Sequence, residues 1–406
     1  MAHGIGYLKR KLATKQYRVQ TRYRYYEMKE CHTPRNLMVP DQLKNKFSIK
    51  LGWCTKAVDS LADRLQFRGF KNDNLDLTSI YQMNNFDVLA DSAILGALIT
   101  SCDFIYISMD KNGYPRMQVI DGYNATGIMD EITGMLEEGY AVLDRDENDQ
   151  IISEAYFGKG YTDFYIKGQE PYRIENICSY PLLVPIVYRP DAKRPFGHSR
   201  ISRACMKYQN NVADTLLNMA ICSETNAFVQ KYIAGSDPDM EFDSSRAWMS
   251  SFLNISASED GTKPDLGQFQ QASLAPYIDE IETQASLFAG EVGLTLDDLG
   301  FSKSNPASVD AIRASHENLR LTARKAQRQF GVGFLNAGYL AACLRDDFDY
   351  NREVLYETKP IWEPVFEPDA NAIGMIGDAA VKVNSAVPGY FNAENLRDLT
   401  GIDSDE

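Results

Sequence analysis

The chain has 406 residues, 44% of them apolar and 24% charged, with a formal net charge of −14. That length buries a sizeable core in two or three domains, and the composition is that of a folded protein, excluding a disordered or fibrous chain. No stretch reaches the ~20 apolar residues that cross a bilayer, and the basic segment Met1 to Gln20 lacks an apolar run, so neither a membrane span nor a signal peptide is expected.

Residues 1–35 are basic and tyrosine-rich and read as one helix ending in a turn at Thr33-Pro34. Asp41 caps a helix reaching about Leu65, on which Leu43, Phe47, Leu51, Val58, Leu61 and Leu65 make an apolar stripe. Phe86 to Thr100 is a second amphipathic helix. It runs into a strand at Phe104–Ser108, a turn at Asn112-Gly113 and a strand at Met117–Ile120. Strand-like runs at 139–143, 151–157 and 161–166 continue an antiparallel meander, so the fold class is α+β. Residues 181–195 are an extended, proline-punctuated connection. Ser199 or Ser202 caps a long helix to about Ala227, followed by a strand at Phe228–Ile233. A loop-rich acidic insert to Gln271 holds two short strand-like runs, Phe252–Ile255 and Gly267–Phe269. A helix at Ala275–Glu291, a loop at 293–306 and a long helix at 307–344 come next. A strand at 362–366 and small helices at 370–384 and 393–400 end the chain. Two helices flanking a compact excursion make a stalk with a head.

Charge is unevenly placed along this order. Residues 1–50 carry twelve Lys/Arg against three Asp/Glu, and residues 231–300 carry three against thirteen. The basic arm fits a phosphate backbone, an acidic partner or a solvated helix face. Its aromatics are better read as helix packing than as base stacking. Seven cysteines and four histidines are dispersed without a C-x-x-C pair, so reduced thiols are expected and a zinc site is not.

Catalytic patterns fail on inspection. Gly197-His-Ser-Arg-Ile201 half-matches a nucleophile elbow, but Ile201 stands where the second glycine must allow a sharp turn. Ser108-Met-Asp-Lys111 sits at a strand end and not at a helix start. No phosphate-binding G-x-x-x-x-G-K-[ST] or H-E-x-x-H exists. Asp237, Asp239, Glu241 and Asp243 alternate at strand spacing but lack the glycine and closing Glu of a calcium loop. Asp297-Asp298 alone is too little for a two-metal site. Neither cofactor nor metal is expected. Arg313, Arg320, Arg324 and Arg328 form a basic row on the 307–344 helix. It is either a solvated face or a surface for DNA or a neighbouring subunit.

The order of elements and three local phrases resemble portal proteins of tailed double-stranded-DNA phages, in the group infecting Gram-positive bacteria. The phrases are Gly197-His-Ser-Arg-Ile201 before a long helix, Gly293-Leu-Thr-Leu-Asp-Asp-Leu-Gly300 followed by Asn305-Pro-Ala-Ser308, and Phe104–Asp110 with Asn112-Gly113. The resemblance spans about Leu43 to Leu344. It implies a homo-oligomeric ring, usually a dodecamer, at one capsid vertex of the virion, assembled in the host cytoplasm. The wing would be 1–198, the stem helices 199–227 and 274–292, the clip 228–273, the tunnel loop 293–306, and the long wing helix 307–344. Residues 345–406 would return to the wing and form a short crown.

The implied partners are double-stranded DNA in the channel, the terminase large subunit, major capsid and scaffolding proteins, and a head–tail adaptor, with no membrane. Asp279, Glu280 and Glu282 would line the stem channel. Asp297, Asp298, Ser302, Lys303 and Ser304 would carry the tunnel loop, with Gly300 as hinge. The 237–243 acids would dock partners at the clip. No catalysis is implied. The competing readings are another ring-forming connector or scaffold, and a cytosolic hydrolase or nuclease using Ser199 or the 237–243 acids.

Overall fold

The computed structural model describes residues 3–30, 48–226, 231–234, 265–268, 270, 272–301, 314–366 and 370–400. The chain divides into two compact units. The first comprises Met1–Lys29, Gly52–Met206 and Ala289–Glu406, and the second Glu30–Leu51 and Lys207–Phe288.

The first unit opens with helix α1 (Ile5–Tyr26), α2 (Trp53–Ala62), strand β1 (Phe67–Lys71), α3 (Leu77–Gln82) and α4 (Phe86–Thr100). Eight strands follow: β2 (Cys102–Met109), β3 (Pro115–Ile120), β4 (Ala125–Met129), β5 (Leu136–Arg145), β6 (Ile151–Gly158), β7 (Tyr161–Ile166), β8 (Tyr172–Glu175) and β9 (Leu183–Val187). Helix α5 (Arg203–Asn226) carries the chain into the second unit, where β10 (Lys231–Ala234) pairs with β11 (Asp265–Gln268). Helix α6 (Ala275–Val292) carries it back. The first unit is completed by α7 (Glu317–Asp346), β12 (Lys359–Trp362), α8 (Ala370–Ala386) and α9 (Ala393–Thr400).

The expected meander is present as a five-stranded antiparallel sheet in the order β4-β5-β6-β7-β8. A second sheet, β3-β2-β9, contains a strand within the stretch expected as an extended, proline-punctuated connection: Leu183–Val187 pairs with β2, with Pro185 opposite Phe104. β9 lies at a sheet edge, where a proline is tolerated because one side of the strand needs no donor. The short β1 was also unforeseen. Its partner β12 lies nearly 300 residues on, in the register Phe67↔Trp362. The closing strand therefore spans 359–362 and not 362–366. The helix expected over 41–65 is present, within the described residues, as Trp53–Ala62.

Around β1 an aromatic cluster forms the core against α7. Phe67 stacks on Phe334 with centroids 4.8 Å apart, and the Tyr81 hydroxyl donates to the Phe334 carbonyl at 2.7 Å. Phe86 and Trp362 close the cluster beside Phe67.

α1 packs on the five-stranded sheet through Leu8 and Leu12, both buried beside Tyr140, Val142 and Tyr156. Each such leucine contributes about 1.5–3 kcal/mol by leaving water. Two lysines of the same helix cap the outer edge of β4: Lys11 Nζ donates to the Gly127 carbonyl at 2.7 Å and Lys15 Nζ to Ala125 at 2.8 Å. Lysines at a strand edge block pairing with another chain. Part of the basic arm is thus consumed inside the fold.

No described helix is long and apolar enough to cross a membrane. The six described cysteines are free thiols.

Candidate functional site

The segment joining β9 to α5 is a hub. Gly197 has φ +72, and a Cβ there would lie 2.1 Å from the Tyr188 carbonyl oxygen, so only glycine fits. The next residue closes the turn, with its N–H donating to that same Tyr188 carbonyl at 2.9 Å. Ser199 is buried, and its hydroxyl donates to the Ile99 carbonyl at 2.6 Å while accepting from the Ile201 N–H at 3.0 Å. Its oxygen is therefore a structural bridge to the end of α4 and not an exposed nucleophile. The helix cap is Ser202, whose Oγ accepts from the Cys205 N–H at 3.1 Å.

Arg200 is the residue whose role the sequence did not reveal. It is 6% exposed, and its guanidinium donates to the Ala57 carbonyl at 3.2 Å and to the Val292 carbonyl. Ser202 Oγ also donates to Glu291 Oε1 at 2.9 Å. The start of α5 and the end of α6 therefore share one anchored base in the first unit. The signal was present in the G-H-S-R-I phrase, but burial of its arginine depends on α2 and α6, which are remote in sequence.

Asp279, Glu280 and Glu282 all lie on α6, exposed and without a partner among the described residues. The helix buries a different stripe: Ile281, Ala285, Phe288, Ala289 and Val292.

Beyond α6, Gly293 and Gly300 take positive φ, and between them Asp297–Leu299 forms a 3-10 turn. Asp298 is the turn's scaffold. Its Oδ2 accepts from the Thr295 N–H and hydroxyl, both at 2.9 Å, and lies 3.7 Å from His316 Nδ1. Asp297 stays exposed. Ser302, Lys303, Ser304 and Arg313 lie outside the described residues, as do Asp237, Asp239, Glu241 and Asp243.

The described α7 begins at Glu317 after His316, whose φ −94 and ψ 7 are not helical. The basic row is divided in kind. Arg320 is clamped by Glu317, Nε to Oε2 at 2.7 Å and Nη2 to Oε1 at 2.6 Å. Arg324 and Arg328 are exposed and make no ion pair among the described residues.

A buried polar knot sits between α4, β2 and the turn after β3. Asp103 is 2% exposed and accepts from the Thr100 hydroxyl at 2.8 Å and the Gly122 N–H at 2.9 Å. Burial, reinforced by Asp121, raises its carboxyl to about 8 despite those bonds. Loss of water lowers Lys15 to about 8. The bonds of Asp103 tie the end of α4 and the turn after β3 to β2, a structural role.

No family model matches the chain. In sequence it is similar to the portal protein of Mycobacterium phage D29, 24% identical over 395 residues, covering 92% of this chain and 80% of the relative. The portal protein of Mycobacterium phage L5 is 23% identical over 394 residues with the same coverage. Among solved structures, the virion of a native gene transfer agent particle covers 87% of this chain and 90% of its own, at 11% identity and a TM-score of 0.47. The neck of the native particle, computed with C12 symmetry, covers 95% and 100%, at 11% identity and a TM-score of 0.46. The sequence likeness to phage portal proteins thus runs along nearly the whole chain.

Proposed function

We propose that the chain is the portal protein of a tailed double-stranded-DNA phage, a ring subunit at one capsid vertex through which DNA is packaged and ejected. One observation carries the reading beyond the sequence likeness. The second compact unit, Lys207–Phe288 with Glu30–Leu51, holds most of α5 and α6, and the ends of those helices that lie in the first unit are tied together at Arg200, Ser202 and Glu291. That is the arrangement a stem and clip require.

On this reading residues 1–198 and 345–406 make the wing and short crown. α5 and α6 are the stem, 228–273 the clip, 293–306 the tunnel loop and 307–344 the long helix. The unpaired carboxylates Asp279, Glu280 and Glu282 would face the channel. A wall of negative charge repels phosphates and keeps DNA sliding, since phosphate contacts are what make binding tight. The acids at 237–243 would offer the terminase and then the head–tail adaptor a charged docking surface. Capsid and scaffolding proteins would meet the wing. On this reading the chain is structural, and Ser199, the best nucleophile by motif, has its hydroxyl buried and bonded to backbone.

Negative-stain microscopy of the purified full chain tests the assignment. Closed rings with a central hole, twelve-fold by class averaging, are expected. Compact monomers, both alone and after co-expression with capsid and scaffolding proteins, would overturn it.

A further inference from the structure

A cleft of about 820 Å³ opens in the first unit beside α1, the segment before α5, and α7. Six cations line it: Arg18 and Arg22 on α1, Arg189 and Arg194 before the hub, Arg203 in the first turn of α5, and Lys325 on α7. Only Arg22 is turned inward, its Nη1 donating to the Thr100 carbonyl at 2.8 Å. The guanidinium of Arg194 has only His198 Nδ1 nearby, at 3.4 Å. The side chains of Arg18, Arg189, Arg203 and Lys325 have no carboxylate partner among the described residues.

Two acids reach the cleft and both are engaged. Asp191 Oδ2 is bonded to His198 Nε2 at 2.5 Å, and its Oδ1 takes the N–H groups of Lys193 and Arg194 at 2.8 Å. Glu291 Oε1 takes the Ser202 hydroxyl. Crowding is felt at Arg22, which burial and the charges of Arg18, Arg194 and Arg203 push down to about 10. The first turn of α5 lines the same cleft, so the positive end of a 24-residue helix adds to the field.

We propose that this cleft binds a phosphate-bearing polyanion, several phosphates at a time. Planar guanidinium forks match phosphate oxygens, and one phosphate is served by two or three of them. Six cations drawn from three helices and one connecting segment exceed what one phosphate needs and suit a run of them. The site is separate from the channel residues named above and does not require a ring. A DNA backbone and a free polyphosphate share this chemistry, and the experiment separates them.

The test uses the purified full chain and a fluorescent 20-base-pair duplex, titrated by anisotropy at several salt concentrations. Tripolyphosphate and polyglutamate of matched charge serve as competitors. Light scattering on the same samples gives the oligomeric state, so loss of the ring and loss of the site are read separately. Arg18→Ala with Arg203→Ala should weaken duplex binding at least about tenfold and lower the salt slope by about two, with melting unchanged. Arg18→Lys with Arg203→Lys should fall between. Tripolyphosphate should displace the duplex, and polyglutamate should not. If the duplex never binds but tripolyphosphate raises the melting temperature of the wild type and not of the Ala variant, the source is a free polyphosphate. Unchanged affinity and slope in the Ala variant overturn the site. Polyglutamate competing as well as tripolyphosphate overturns the phosphate class and makes the cleft a dock for acidic protein.

Discussion

The Ser202 hydroxyl donates to Glu291 Oε1 at 2.9 Å, joining the cap of α5 to the last turn of α6 across 89 residues of chain. Two residues earlier, Arg200 reaches the Val292 carbonyl and the Ala57 carbonyl from a buried position. The start of α5 and the end of α6 are thus fixed to one point in the first unit. Arg200 and Ser199 tie that point to α2 and α4 through the Ala57 and Ile99 carbonyls.

Replacing Arg200 with Met keeps the stem of the side chain but leaves two buried carbonyls without their donor. Each such loss costs about 1–3 kcal/mol, so a drop of about 3 kcal/mol in unfolding free energy is expected. Urea denaturation would read it as a lower midpoint at unchanged slope. Arg200→Lys should recover only part, because one ammonium cannot reproduce a fork that spans two acceptors. A change below about 0.5 kcal/mol in the Met variant would mean the anchor carries no weight.

Gly197 and Gly300 both have positive φ, +72 and +90, yet their surroundings differ. A Cβ at 197 would meet the Tyr188 carbonyl oxygen at 2.1 Å, whereas one at 300 meets nothing within 4 Å. Gly300→Ala should therefore cost only the backbone term, about 1 kcal/mol. Gly197→Ala must also move the β9 end, and it should cost clearly more, about 3 kcal/mol or above. Thermal melts of the two variants side by side decide the matter. Equal losses would contradict the steric account.

The Asp103 carboxyl titrates near 8 in the folded chain against an ordinary 3.8. Between those values the folded state holds a proton the unfolded state has released, so this group's contribution falls as pH rises from about 4 to about 8. Lys15, lowered from 10.5 to about 8, acts in the opposite sense and only above pH 8. Asp103→Asn keeps an oxygen acceptor for Thr100 and Gly122 and removes the titration. Relative to wild type, the variant should gain at least about 1.4 kcal/mol between pH 5 and pH 8. A stability difference that stays flat over that window would show that Asp103 is ionised in the native state.

The meander, both long helices and the two tail helices were legible because each carries its periodicity and turn chemistry within its own segment. β1 and β9 were not. β1 is five residues whose partner is remote in sequence, and β9 is a five-residue run inside a proline-punctuated extended stretch whose pairing at a sheet edge only the fold reveals. Asp279, Glu280 and Glu282 are exposed on a helix whose span was legible from its periodicity. The Asp-Asp pair alone did not show the local role of Asp298, whose Oδ2 is occupied by Thr295. The cleft arginines escaped notice because they come from 18, 22, 189, 194 and 203, positions no local pattern unites.

Arg320 differs from its row-mates Arg324 and Arg328 in one respect that matters for DNA. Its guanidinium is held in a two-point clamp by Glu317, so its charge is already answered within the helix. The charges of Arg324 and Arg328 are exposed and free of ion pairs among the described residues. If α7 presents this row to passing DNA, only unanswered charge can attract phosphate, and each such contact also slows sliding. Arg324→Ala with Arg328→Ala should then alter the DNA content of particles in a phage complementation assay, while Arg320→Ala leaves it near wild type. Adding Glu317→Gln should unmask Arg320 and make its replacement consequential. Should Arg320→Ala alone match the double variant, the row would act through helix structure and not through exposed charge. Should none of them change packaged DNA, the row would have no part in handling it.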